Sequence, residues 1–204
     1  MIAIIDYGAG NIKSVINAFE NLGKSAVLIS NPDELKNYDR AVLPGVGAFG
    51  EAIEKLKKAN LDLAILEFIK TGKPFLGVCL GMQLLFEKSY EFGENHGLGV
   101  IKGSVVRFDE TKFSTPLKVP HVGWNSINFT QKTPINRGLN DSEYLYFVHS
   151  FHAICDDKSA ILGTSEYGYD FVSAVAKDNV FGFQPHPEKS HEVGLKILEN
   201  FTEL

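Results

Sequence analysis

The chain has 204 residues, enough for one sizeable core without a disulfide or metal staple, and its apolar (44%) and charged (22%) contents are ordinary for a globular protein. Its net charge of −5, with no basic stripe, argues against nucleic-acid binding, which sets clustered Lys and Arg against phosphates. Two cysteines, Cys79 and Cys155, are too few for a disulfide framework, the start MIAIIDYGAG has no basic leader or cleavage site, and no apolar run could span a bilayer, so a cytoplasmic protein is expected.

The first half alternates between two periodicities. IAIID (2–6) predicts a strand, and YGAGN punctuates it. Ile12, Val15, Ile16, Phe19 and Leu22 then share one helical face, closed by Gly23 as a C-cap. SAVLIS (25–30) predicts a second strand; Asn31 and Pro32 follow as N-cap and first position of a short helix. RAVLPG (40–45) is a third strand. A long amphipathic region over about 48–71 leads to the strand FLGVC (75–79), and a helix is expected from about Gly81 to Lys88. Continuous apolar strands alternating with helices predict a parallel sheet covered on both faces.

From about 98 to 184 the pattern changes. GVIKGSVVRF, HVGWNSINF, YLYFVHSFHAI, AILGTSEY, FVSAVAK and VFGFQPH follow one another too closely for crossover helices, which predicts added antiparallel strands. A last amphipathic helix over about 191–203 is expected to bury Val193, Ile197 and Phe201. No linker or repeat divides the chain, so residues 1–204 are read as a single α/β domain with a mostly parallel central sheet, flanking helices and an antiparallel extension.

The chemistry begins at Cys79. A lone cysteine is most often a small core hydrophobe. Here, however, it ends a predicted strand between Gly77 and Gly81, the glycine-flanked strand-to-helix turn that exposes a nucleophile. Dipoles at the start of the following helix favour a thiolate. A thiolate needs a base and a group that orients the base. Of the six histidines, His96 and His191 lie in polar stretches and are expected at the surface, whereas His121, His149 and His152 lie on predicted strands. His186 is the best base, because FQPHPEKS places it two residues from Glu188, on the same side of an extended chain stiffened by Pro185 and Pro187. For an oxyanion, the Leu80 N–H is one candidate donor and the PGVG turn, with Gly45, Val46 and Gly47, offers a second. YGAGNIK fails as a dinucleotide-binding loop because Lys13 stands where the last glycine belongs. No metal-ligand spacing is visible, and no cofactor is expected.

GVCLGMQ followed far downstream by PHPEKS resembles the class I glutamine amidotransferases. IIDYGAGNIKSV, LPGVGAFG, VPHVGWNSI and YFVHSF resemble, more narrowly, the glutaminase subunits of imidazole glycerol phosphate synthases in histidine biosynthesis. The resemblance covers nearly all of the chain. It implies a flavodoxin-like fold, a triad of Cys79, His186 and Glu188, and a glutamine site formed by Gly47, Gln83, His149, Ser150 and Phe151. It also implies a partner, a (β/α)₈-barrel cyclase that consumes the ammonia, in a heterodimer. Tyr7, Asn11, Lys13, His121, Gly123, Trp124 and Asn125 are the candidate docking residues; for Trp124 the alternative is ordinary core packing. Two residues depart from the family pattern: Pro185, where an aromatic or other apolar residue is usual, and Phe151, where Tyr is common. A stand-alone γ-glutamyl cysteine hydrolase and the amidotransferase subunit of another synthase remain as alternatives.

Overall fold

The computed structural model describes residues 1–8 and 11–204; Ala9 and Gly10, in the middle of the YGAGN turn, lie outside the described residues. The elements in chain order are β1 (Ile2–Ile5), α1 (Ile12–Asn21), β2 (Ala26–Ile29), β3 (Arg40–Gly45), α2 (Phe49–Lys58), α3 (Leu61–Lys70), β4 (Phe75–Cys79) and α4 (Leu80–Leu84). They continue with β5 (Phe86–Ser89), β6 (Asn95–His96), β7 (Ile101–Arg107), β8 (His121–Phe129), β9 (Ser142–His149), β10 (Phe151–Cys155), β11 (Ile161–Glu166), β12 (Asp170–Lys177), β13 (Val180–Phe183) and α5 (His191–Thr202). The helix expected after Asn31 is a 3₁₀ segment, Pro32–Asn37, and Asn31 caps it by accepting from the Asp33 N–H at 3.1 Å.

One sheet runs β2-β1-β3-β4-β13-β12-β10-β7-β5-β6. Its first five strands are parallel, as the alternating half of the sequence predicts. β12 pairs antiparallel with β13, and β10 antiparallel with β12 and β7. β11, β8 and β9 branch from β12 as an antiparallel extension. The period-two rule sorts the core: Ile2, Ile4, Val42, Leu76 and Val78 pack with α1 and α5, whereas Ala3, Ile5, Ala41, Leu43 and Phe75 pack with α2 and α3.

Four expectations need correction. The amphipathic region over 48–71 is two helices, broken where Asn60 adopts φ 55°. The helix after Cys79 stops at Leu84, and Phe86–Ser89 is a strand. Long-range hydrogen bonds decide this, because the carbonyls of Leu84, Leu85 and Phe86 accept from the N–H groups of residues 98–101 and leave no acceptors for another helical turn. YLYFVHSFHAI divides at Ser150, where the chain passes from the extension into the main sheet. Finally, Val193 is half-buried, while Ile197 and Phe201 are buried as expected.

Candidate active site

Three adjacent parallel strands, β3, β4 and β13, deliver their carboxyl ends to one place. Gly45 pairs with Cys79, and Val78 pairs with Phe183. The segments that follow, Val46–Gly47 and Gln184–His186, therefore flank Cys79, at the position where open α/β sheets bind ligands. Sequence segments more than 130 residues apart meet only because β13 lies beside β4.

Cys79 sits on a turn with φ 55° and ψ −112°, a conformation that side chains rarely adopt. The flanking glycines allow it for reasons of space. A Cβ on Gly81 would stand 1.7 Å from the Leu43 carbonyl oxygen, and one on Gly77 would stand 2.6 Å from that of Gly81. The strained residue is thus held between backbones packed too closely for any side chain.

His186 Nδ1 donates to Glu188 Oε1 at 2.7 Å, with both side chains buried. The extended geometry expected for this pair is not what joins them: Pro187–Lys189 is a single 3₁₀ turn, and the turn brings the carboxylate back onto the ring. The histidine backbone is fixed on both sides. Its N–H donates to the Tyr146 carbonyl at 2.9 Å, and its carbonyl accepts from the Ser190 hydroxyl at 2.6 Å. Nε2 is buried and has no hydrogen-bond partner among the described residues. Burial alone would lower the His186 pKa, but the electrostatic pull of neighbouring Cys79 and the hydrogen bond and charge of Glu188 outweigh it and push the pKa up to about 10.

Cys79 and His186 border one cavity of about 300 Å³, with Gly47, Gln83, Ser150 and Phe151 also on its wall. Gln83 Nε2 commits both of its hydrogens, one to the Phe151 carbonyl at 3.1 Å and one to Gln184 Oε1 at 2.9 Å, so only its oxygen is left for a ligand. Val46, Leu80 and His149 complete the set of pocket residues expected from the sequence. Gly47 has φ 99°, a left-handed conformation suited to glycine.

Three contributions escaped the sequence reading. Glu91 lines the cavity and accepts from the Phe49 N–H at 2.7 Å with one carboxylate oxygen; the strand that ends at Ser89 brings it there, where a helix was expected. Gln184 is fully buried, and its Nε2 lies 3.8 Å from the Cys79 sulfur. The alternation that singles out His186 reaches Gln184 when extended one step back. Asn11, expected to dock a partner, donates to Glu188 Oε1 at 2.5 Å.

The remaining docking candidates divide by burial. Trp124 and Lys13 are exposed, Gly123 and Asn125 are partly so, and Tyr7 and His121 are turned inward. The core-packing alternative for Trp124 does not hold, because the ring is 46% exposed and stacks on His191 at 5.0 Å. His96 and His191 are at the surface, whereas His121, His149 and His152 are buried. Among the described residues no group of three or more His, Cys, Asp or Glu side chains could hold a metal ion. No helix among the described residues is long and apolar enough to cross a membrane.

Comparison with known proteins sharpens this picture. The family model for Glutamine amidotransferase class-I matches residues 3–204. The chain is 58% identical, over 99% of its length and 97% of the relative's, to the imidazole glycerol phosphate synthase subunit HisH of Sulfurimonas denitrificans. It is 53% identical over the whole of both chains to the subunit of that name in Wolinella succinogenes. The structure of PurLQS from Thermotoga maritima shares the fold, with a TM-score of 0.78 at 20% identity, covering 99% of this chain and 97% of that one.

Proposed function

The chain belongs to the class I glutamine amidotransferase family, and from that premise we propose how its residues divide the hydrolysis of glutamine. Its activity is that of the glutaminase subunit of imidazole glycerol phosphate synthase. The observation that carries the assignment of roles is the buried His186, tied at Nδ1 to Glu188 and unpartnered at Nε2, on the cavity that Cys79 borders.

His186 Nε2 takes the proton of the Cys79 thiol to give the nucleophilic thiolate, and Glu188 at Nδ1 steadies the imidazolium so formed. The thiolate attacks the side-chain carboxamide carbon of glutamine. The N–H groups of Leu80 and of the Val46–Gly47 turn take the oxyanion. His186 Nε2–H protonates the departing nitrogen, the C–N bond breaks, and ammonia leaves a glutamyl thioester. Water then gives a proton to Nε2 and attacks the thioester; the C–S bond breaks to release glutamate, and the thiolate–imidazolium pair returns. The Gln83 oxygen and the free oxygen of Glu91 are the acceptors for the α-ammonium of glutamine, and Ser150 and Phe151 form the opposite wall.

A synthase subunit acts beside a second protein, and released ammonia must reach it without being protonated in bulk water. We infer that this protein is a (β/α)₈-barrel cyclase docked, as a heterodimer in the cytoplasm, on the outer face of β8 and β9. Val122, Trp124, Tyr144 and Val148 are exposed together there, and Val148 reaches the rim of the cavity. Glutamate release, measured with and without the cyclase and its nucleotide substrate, tests both parts. Cys79→Ala is expected to abolish release; an undiminished rate in that variant would overturn the assignment. Trp124→Glu is expected to weaken binding of the cyclase at least tenfold, with thermal melting unchanged, as for an aromatic anchor. Full turnover by the isolated chain, with no complex on gel filtration, would point instead to a stand-alone hydrolase.

A further inference from the structure

At the edge of the cavity lies a pair of histidines that takes no part in the proton transfers of hydrolysis. His121 on β8 and His149 at the end of β9 are directly paired in register, and both are buried. His149 Nδ1 is 2.8 Å from the Phe151 carbonyl oxygen. A carbonyl only accepts, so Nδ1 carries the hydrogen and, in a neutral ring, Nε2 is bare. That bare nitrogen lies 2.9 Å from His121 Nδ1, which must therefore donate. His121 Nε2 is then the acceptor and receives Asn125 Nδ2 at 3.4 Å. Two neutral rings thus have one allowed assignment, with hydrogen on Nδ1 in both. Burial favours neutrality, lowering His149 to about 3 and His121 to about 4. Phe147 and Tyr167 stack on His121, at 4.9 and 4.0 Å between ring centres, and hold its plane.

The chain of hydrogen bonds does not stop at Phe151. The same carbonyl accepts from Gln83, Gln83 also donates to Gln184, and Gln184 approaches the Cys79 sulfur. His121 is absent from the cavity wall and meets it through its direct hydrogen bond to His149.

We propose that His121 is a positioning residue for glutamine, acting through His149 as a tautomer-locked spacer that sets the Ser150–Phe151 wall and the Gln83 amide relative to Cys79. The proposal rests on the glutaminase reading above. It also gives the docking strand a route into the pocket, because β8 presents Trp124 outward and His121 inward.

The test compares His121→Phe, which keeps a flat ring but removes the donor, with His121→Asn, whose amide nitrogen can stand near the Nδ1 position. Both are assayed as complexes with the cyclase. His121→Phe is expected to raise KM for glutamine about tenfold, the effect of one lost buried hydrogen bond, with kcat within about twofold; His121→Asn should recover most of it. Alkylation of Cys79 by a glutamine-like chloroketone should slow about tenfold in His121→Phe, while alkylation by iodoacetamide, which needs no glutamine pocket, should not change. Parallel slowing by both reagents, a loss in kcat alone, or an unchanged KM would overturn the proposal. Nitrogen NMR of the unaltered protein gives a readout independent of any variant's folding: both rings should carry hydrogen on Nδ1, and an Nε2–H form of either would overturn the lock. If the unaltered protein is alkylated by iodoacetamide but not by the chloroketone, the glutaminase reading itself falls, and the spacer with it.

Discussion

At Cys79 the reactive group and the strained backbone coincide. A residue at φ 55° and ψ −112° costs on the order of 1–3 kcal/mol unless it is glycine. Cys79→Gly should therefore be as inactive as Cys79→Ala yet more stable by about 1 kcal/mol in urea denaturation. Equal stabilities would show that the turn carries no strain. A second residue-scale expectation concerns pH. Because the folded-state pKa of His186 is raised from 6.5 to about 10, its contribution to stability is fully present below about pH 6.5 and is lost as pH rises through 10. Glu188→Gln removes one source of that rise. The stability gap between it and the unaltered protein should be widest in mild acid and should narrow between pH 6.5 and 10. Cys79, His186 and Glu188 could be singled out in the sequence because each sits in a short motif with its own chemical logic. Glu91 could not, since nothing within ten residues marks it; the strand ending at Ser89, held by its pairing with β7, puts it in the cavity.

At the scale of elements, local pattern succeeded where a segment's own period decides its state. RAVLPG, FLGVC and HVGWNSINF form strands over the expected residues, and the parallel half follows from apolar runs alternating with helices. It failed at LLFEKS, whose apolar spacing suits a helix but whose carbonyls are taken by residues near 100. Close approach explains a further cost that composition hides. α4 lies on β3 with Gly81 against the Leu43 carbonyl, so Gly81→Ala must push the two apart. Destabilisation by about 3 kcal/mol, beyond what ordinary overpacking gives on average, and loss of glutamate release are expected; differential scanning calorimetry checks the first. Gly8, where an added Cβ meets nothing within 4 Å among the described residues, has a φ of 81° as its cost and should lose less when changed to Ala.

The whole molecule carries two opposed titrations. His121 and His149 are held neutral, with folded pKa values of about 4 and 3, so their contribution is present above about pH 6.5 and is lost as pH falls through those values. Stability should decline from pH 6.5 towards pH 4, and His121→Phe should flatten part of that decline in urea titrations. β13 lies between β4 and β12, so the centre of the sheet stays open until residues 180–183 leave the ribosome. His186 and Glu188 follow only a few residues later. One segment, made after every other described strand, thus completes both the sheet and the triad. During translation, the thiol that ends FLGVC has no base beside it, and an unfinished chain releases no ammonia.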